Sequence, residues 1–180
     1  MEPKPHSDAL ADGSGHGTRR HRDCVPGDAP AICAIYNPYV AQTTVTFEEV
    51  AVSARQMKRR IAEVTRRLPW IVCEHNGAVL GYAYATAWKP RSAYRHSVET
   101  TIYLDRNLTG RGIGTELYRT LLARLRAHDV HCVAGGIALP NAASVALHEK
   151  LGFVKVAQFP QIGLKFGQWI DVGYWQLTLP

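Results

Sequence analysis

Long apolar runs are missing from this sequence: nowhere in its 180 residues do 18 apolar residues follow one another. A bilayer-spanning helix needs about 20, so a membrane span is not expected. The first residues, Met1 to about Gly17, are rich in Gly, Pro, His and Asp and hold no apolar stretch of the kind a secretory signal needs. A disordered tail (1–17) and a cytoplasmic protein are the expectation. Cysteine is scarce. Cys24, Cys33, Cys73 and Cys132 lie far apart without a C-x-x-C pair, which points to free buried thiols in a reducing compartment. His6 and His16 fall in the solvated tail, and His21, His75, His96, His128 and His131 lack metal-ligand spacing, so no metal is assigned. Acidic residues are outnumbered, 15 against 21 basic, for a net charge of +6. That balance suits a polyanionic partner better than a cationic one. The Lys and Arg are scattered, however, with no aromatic-interleaved basic stripe, which argues against nucleic acid. A small polyanion suffices, and a solvated basic surface needs no partner at all.

What is present centres on Ser97 to Asp129, SVETTIYLDRNLTGRGIGTELYRTLLARLRAHD. Val98 to Leu104 is rich in Thr, Val, Ile and Tyr and suits a mostly buried strand. Gly110, Gly112 and Gly114 follow at alternate positions. From there Ile113, Leu117, Leu121 and Leu125 recur four apart, on one face of a helix. A glycine turn lets backbone N–H groups approach a ligand closely, and the first N–H groups of the helix form an anion site. Two nucleotide folds are excluded by spacing. The phosphate loop of NTPases ends in Gly-Lys-Ser/Thr, whereas Ile113 precedes Gly114-Thr115; the dinucleotide fingerprint needs a third glycine where Thr115 or Leu117 stands.

The rest of the chain reads as mixed α/β, one domain (18–180) without a linker or an internal repeat. Arg19 to Cys24 suits an edge strand. Asp28 is placed to cap a helix to about Val40, with Pro30 in its first turn. Thr43 to Phe47 reads as a short extended piece. Ser53-Ala54-Arg55-Gln56 is a capping box opening a helix that ends by Leu68, before Pro69. Trp70 to His75 and Ala78 to Ala87 flank Asn76-Gly77, the pair favoured in a type I′ hairpin turn. Trp88 to Arg95 is a polar loop leading into the central strand. Cys132 to Ala138 is a further strand, and Asn141 opens a short helix capped by Gly152. Phe153 to Phe159 and Trp169 to Leu177 close the chain as an antiparallel pair.

Thr109-Gly110-Arg111-Gly112-Ile113-Gly114 resembles the Q/R-x-x-G-x-G/A pyrophosphate loop of the GNAT acetyltransferases, with Thr109 where Gln or Arg is usual. IYNPYVAQTTVTF (35–47), WKPRSAYRHSVETTIYL (88–104), LPNAASVALHEKLGF (139–153) and WIDVGYWQ (169–176) resemble segments of the phosphinothricin (methionine sulfoximine) N-acetyltransferases in that family. The resemblance implies a GNAT fold, a mixed and mostly antiparallel sheet flanked by helices and splayed to admit acetyl-coenzyme A. It also implies acetyl transfer to the α-amino group of a small amino-acid analogue, and a homodimer, to which an apolar, aromatic C-terminal strand is suited. An acyl-coenzyme A sensor without turnover would share the loop and fold but need not keep the candidate catalytic side chains. A polyamine acceptor would call for an acidic pocket, and a peptide N-terminus stays open.

Acetyl transfer to an amine needs a base for the amine proton and a proton for the leaving thiolate. Glu99, a carboxylate in an otherwise apolar strand, is the candidate base; a solvent-facing or arginine-paired residue is the other reading of it. By resemblance His148 stands where most of the family has a Tyr, the proposed acid, and hydrogen bonding to substrate is its alternative role. Lys89, Arg91 and Tyr94 match acceptor-pocket residues that hold the substrate's negative oxygens, and an arginine can donate two parallel bonds to such a group. Phe47 and Trp169 are expected as apolar pocket walls. For the cofactor, a main-chain edge at Ile102, Tyr103 and Leu104 could pair with the pantetheine amides. The turn from Thr109 through Thr115 would hold the pyrophosphate, and the resemblance implies that Asn141 bonds the pantetheine arm.

Overall fold

Side-chain alternation along β2 (Trp70–His75) sets the architecture. Trp70 and Val72 turn to one core and Ile71 and Cys73 to another, so the strand is buried on both faces. The same split continues along β3 (Ala78–Ala87): Tyr82 joins the first set, Ala83 and Ala85 the second. The computed structural model describes residues 18–180 and accounts for both cores. The tail expected over 1–17 lies outside the described residues.

Among the described residues seven strands form one sheet in the order β1-β2-β3-β4-β5-β7-β6. The remaining strands are β1 (Arg20–Asp23), β4 (Ser97–Leu104), β5 (Cys132–Leu139), β6 (Val154–Lys165) and β7 (Gln168–Thr178). Every pairing is antiparallel except β4 with β5. Helices α1 (Ala29–Gln42) and α2 (Ala54–Val64) cover the Trp70 face. Helix α3 (Ile113–Arg126) covers the Ile71 face, and α4 (Ala142–Lys150) lies on that side beside it. Ile113, Leu117, Leu121 and Leu125 are all buried there, as their spacing demands. Each fully buried Leu contributes about 1.5–3 kcal/mol relative to exposure, which outweighs any intrinsic propensity of the helix.

Local signals hold where their chemistry is local. Asn76 and Gly77 take φ of 49° and 79°, the left-handed pair of a type I′ turn. Ser53 Oγ accepts from Gln56 N and the Gln56 side chain accepts from Ser53 N, completing the capping box. Three expectations are corrected. Asp28 does not cap α1 with its side chain, because a 3-10 turn (Pro26–Asp28) starts the helical stretch earlier. Its carboxylate instead accepts from Val25 N at 2.9 Å and takes the Arg22 guanidinium in two bonds of 2.8 and 2.9 Å. Thr43 to Phe47 forms no strand and is held by side chains, as described below. And β6 does not stop at Phe159: Pro160 sits where the register with β7 shifts between Phe159 and Gly163, so the missing N–H disturbs no regular ladder.

Candidate active site

Strands β4 and β5 pair at only three positions, Ser97 with Cys132, Val98 with Val133 and Glu99 with Ala134. Beyond Glu99, β4 continues to Leu104 against β3 alone, and β5 continues to Leu139 against β7 alone. A cleft therefore opens between two strand edges that no longer bond to each other. Buried backbone groups need partners, so the facing edges suit an extended, amide-bearing chain. Part of the edge at Ile102–Leu104 is already engaged, since Tyr39 Oη donates to the Leu104 carbonyl at 2.8 Å.

The glycine turn lies at the open end of this cleft. Gly110 and Gly112 both have φ of 78°, a left-handed conformation that a side chain would strain. Gly112 is the N-cap of α3 and supplies no side-chain cap, so the first-turn N–H groups of the helix are left for an anion. Gly114 differs: a Cβ there would make only ordinary contacts, at 3.4–3.9 Å, with the Leu104, Leu147 and Ile102 side chains, so neither strain nor crowding demands glycine at this position. Thr109 Oγ1 donates to the Arg106 carbonyl, and Arg111 is exposed with its carbonyl accepting from Arg19. Asn141 Oδ1 accepts from Ser144 N at 3.1 Å and caps α4, which commits its oxygen and leaves its amide N–H groups as the donors it can offer. A phosphorylated, amide-containing ligand fits this combination of loop, helix terminus and unpaired edges. Among the described residues no three His, Cys, Asp or Glu are grouped to hold a metal.

On the α1/α2 side the cleft meets a cavity of about 580 Å³. Its walls are apolar, from Val45, Phe47, Trp88, Phe159, Ile162, Val172 and Tyr174, and among the described residues its only charged lining groups are Lys89 and Glu99. Burial raises the pKa of Glu99, and the Lys89 charge opposes that rise. Gly136 keeps the space clear: a Cβ would stand 3.0 Å from Glu99 Oε1 and 3.2 Å from the Tyr174 ring. Tyr174 in turn packs edge-on against Trp88 and Phe159. One wall is the irregular segment 43–53. Lys165 Nζ, almost fully buried, donates to the Thr46 carbonyl at 2.7 Å; Tyr36 Oη meets Thr46 Oγ1 at 2.6 Å; Arg60 grips Glu48 with two bonds; Asn37 ties down both backbone groups of Val52. Phe47 lies against Gly163, where any side chain would collide with its ring.

His148 is on the other face of the sheet. It is 4% exposed, packed edge-on against Tyr118 and Phe153, with Nδ1 2.8 Å from the Ser144 carbonyl and Nε2 3.1 Å from Tyr118 Oη. Burial lowers its pKa, and the bond to Ser144 opposes that. The two faces meet at consecutive residues of β5. A Cβ on Gly135 would sit 2.5 Å from His148 Nε2, and one on Gly136 3.0 Å from Glu99 Oε1. Glu99 and His148 thus stand back to back across β5, one on each face of the sheet.

The structure gathers Phe47, Lys89 and Glu99 on one cavity and places the glycine turn and Asn141 around the cleft. It does not bring Arg91, Tyr94 or Trp169 to the cavity of the single chain: Arg91 precedes and Tyr94 ends an exposed 3-10 turn (Ser92–Tyr94), and Trp169 is 61% exposed at the β6–β7 hairpin. Trp88, Tyr174, Phe159, Ile162 and Gly136 were not singled out by sequence. Of these only Gly136 left a signal, since paired glycines inside a strand mark a close approach.

A family model described as an acetyltransferase (GNAT) domain matches residues 23–173. The chain is 40% identical over 154 residues to a phosphinothricin N-acetyltransferase of Alcaligenes faecalis, covering 84% of this chain and 78% of that one. It is 38% identical over 160 residues to an L-methionine sulfoximine/L-methionine sulfone acetyltransferase of Pseudomonas paraeruginosa, covering 88% and 93%. Among solved structures, a phosphinothricin acetyltransferase of the GNAT superfamily from Sinorhizobium meliloti, in complex with acetyl-coenzyme A, superposes with a TM-score of 0.86 at 36% identity, over 90% of this chain and 89% of that one.

Proposed function

Since the chain belongs to the GNAT acetyltransferase family, we propose that this N-acetyltransferase acts on the α-amino group of a small amino-acid analogue, with Glu99 as base and His148 as proton donor. Acetyl-coenzyme A supplies the acetyl group as a thioester. The N–H groups at the start of α3, the turn at Thr109–Thr115 and the amide of Asn141 would hold it, with the free edge of β4 alongside. Glu99 takes the proton of the attacking amine, and a carboxyl whose burial has raised its pKa is a stronger base than a solvated one. His148 returns a proton on the opposite face. The observation that carries this reading is the Gly135–Gly136 step, which puts the two groups back to back where β4 and β5 part.

The acceptor follows from the charges around the cavity. Lys89 suits the carboxylate of an amino acid, and Glu99 its amine. The remaining walls are apolar, and Arg91 does not line them. That favours methionine sulfone or sulfoximine, whose side chains carry no full negative charge, over phosphinothricin, whose phosphinate would want a second cation. Comparing kcat/KM for methionine sulfone, methionine sulfoximine, phosphinothricin, spermidine and a short peptide tests this. The methionine derivatives are expected to lead; spermidine or the peptide ahead by more than tenfold, about 1.4 kcal/mol of transition-state binding, would sink the substrate assignment and leave acetyl transfer standing.

A homodimer belongs to the same reading. Edge strand β6 and its hairpin expose Val154, Val156, Ile162, Leu164, Phe166 and Trp169 together, an apolar concentration that a second copy would cover.

A further inference from the structure

Strand β6 turns two side chains to the acceptor cavity that an unbroken strand would point to opposite faces. Phe159 and Ile162 both line it, yet residues three apart in a regular strand lie on different sides. The register explains the change. Phe159 pairs with Val172 and Gly163 with Ile170, so Pro160, Gln161 and Ile162 all stand opposite Asp171. Three residues occupy the place of one, and the strand bulges at the rim of the cavity.

The bulge is not relaxed. Gln161 takes a φ of 49°, a left-handed conformation that is uncommon for a residue with a long side chain. Such a conformation persists where its surroundings impose it. Here the imposing group is Asp171. Its Oδ1 accepts from Gln161 N at 2.9 Å and its Oδ2 from Gln158 Nε2 at 2.8 Å. One carboxylate therefore bonds residues on both sides of Pro160. Gln158 Oε1 in turn accepts from Lys155 Nζ at 2.6 Å, and Lys155 lies over the Trp175 ring. The Gln161 N–H, and after it the Gln158 amide, hold the Asp171 carboxyl below its usual range. It is a carboxylate at neutral pH, and its bonds are charge-assisted.

Asp171 does not itself line the cavity. Alternation along β7 turns it away from the face of Val172, which does. What it governs lies on β6. Past the bulge come Gly163, which has no room for a side chain beside the Phe47 ring, and Lys165, which holds the Thr46 carbonyl. The shape of the bulge thus sets where Phe159, Ile162 and Phe47 stand relative to one another.

We propose that Asp171 is a positioning residue for the acceptor: by clamping the Phe159–Gly163 bulge it fixes the apolar wall of the cavity, and with it the length of side chain that is accepted. This rests on the reading of that cavity as the acceptor site. With the clamp in place the wall meets a short side chain such as that of methionine sulfone. Without it the wall gives way, short acceptors lose contact and longer ones gain room.

The test compares wild type, Asp171→Ala and Asp171→Asn on methionine sulfone and its S-butyl homologue. Asp171→Ala is expected to raise KM for methionine sulfone about three- to tenfold, the range one hydrogen bond spans. The preference for methyl over butyl narrows, while kcat and the acetyl-coenzyme A KM hold. Asp171→Asn, which keeps an oxygen for the Gln161 N–H, stays within about twofold of wild type. A second readout needs no acceptor: exchange of the Gln161 amide with deuterated solvent, expected to be about tenfold faster in Asp171→Ala than in wild type. Wild-type KM and selectivity in Asp171→Ala would overturn the proposal, as would a Gln161 amide that exchanges equally fast in both. An equal rise in the KM of both substrates would mark a general loosening and overturn it too. If wild type turns over neither sulfone, the acceptor reading fails, and the Gln161 exchange still decides whether Asp171 clamps the bulge.

Discussion

Glu99 carries its charge where the protein gives it little water and, among the described residues, one nearby cation, Lys89. Its raised pKa means that the folded state holds the proton more tightly than the unfolded chain does. The stability it contributes is therefore present below the unfolded value and lost as pH rises through the folded one. Glu99→Gln is expected to melt higher than wild type at pH 8, with the gap closing toward pH 5, while kcat falls by roughly 10²–10⁴-fold, the usual worth of a positioned base. Thermal melts at both pH values alongside kcat check this; a variant less stable at pH 8 would mean the carboxylate is bonded, not stranded. Lys89→Ala is expected to raise KM for the acceptor about tenfold or more, as loss of a charge-assisted bond does, and Arg91→Ala to raise it less. At this scale the sequence was informative about Glu99, because a carboxylate amid Thr, Val and Ile is visible as an anomaly. It was silent on Trp88 and Tyr174, which look like ordinary core aromatics until the sheet brings them to one cavity.

Elements were legible where their own residues decide them. The Asn76-Gly77 turn, the Ser53–Gln56 box and the α3 stripe depend on neighbours within four positions, and each formed as read. The segment 43–53 could not be read that way. What holds it comes from α1, α2 and β6, above all Lys165, 119 positions from Thr46. Replacing Lys165 by Met keeps the apolar stem but removes the bond to Thr46, and the cavity wall carrying Val45 and Phe47 should loosen. The expected result is a higher acceptor KM with kcat and the acetyl-coenzyme A KM little changed, measured by steady-state kinetics. Gly112→Ala acts on the other substrate. Forcing a side chain into a φ of 78° costs about 1–2 kcal/mol, and the strain falls on the anion loop, so the acetyl-coenzyme A KM should rise while the acceptor KM holds.

Across the whole molecule, two cores on opposite faces of one sheet hold the two halves of the site, and the gap between β4 and β5 joins them. The splay was implied by the family resemblance, but the residue at which it starts and the back-to-back placement were not visible in sequence, because both depend on where a parallel pairing of residues over 30 apart stops. The apolar stretch along β6 gives a prediction of the same size. Light scattering is expected to report a dimer, and Leu164→Glu with Trp169→Glu a monomer; wild type running as a monomer at working concentration would remove the dimer. The central claim, that Glu99 and His148 serve one reaction from opposite faces, is tested most directly by kcat against pH for wild type, Glu99→Gln and His148→Gln with methionine sulfone. Loss of the base should depress kcat mainly below about pH 8, where the amine is protonated, and loss of the donor should abolish the fall at high pH. Two variants that merely scale the wild-type profile by a constant factor at every pH would contradict the account.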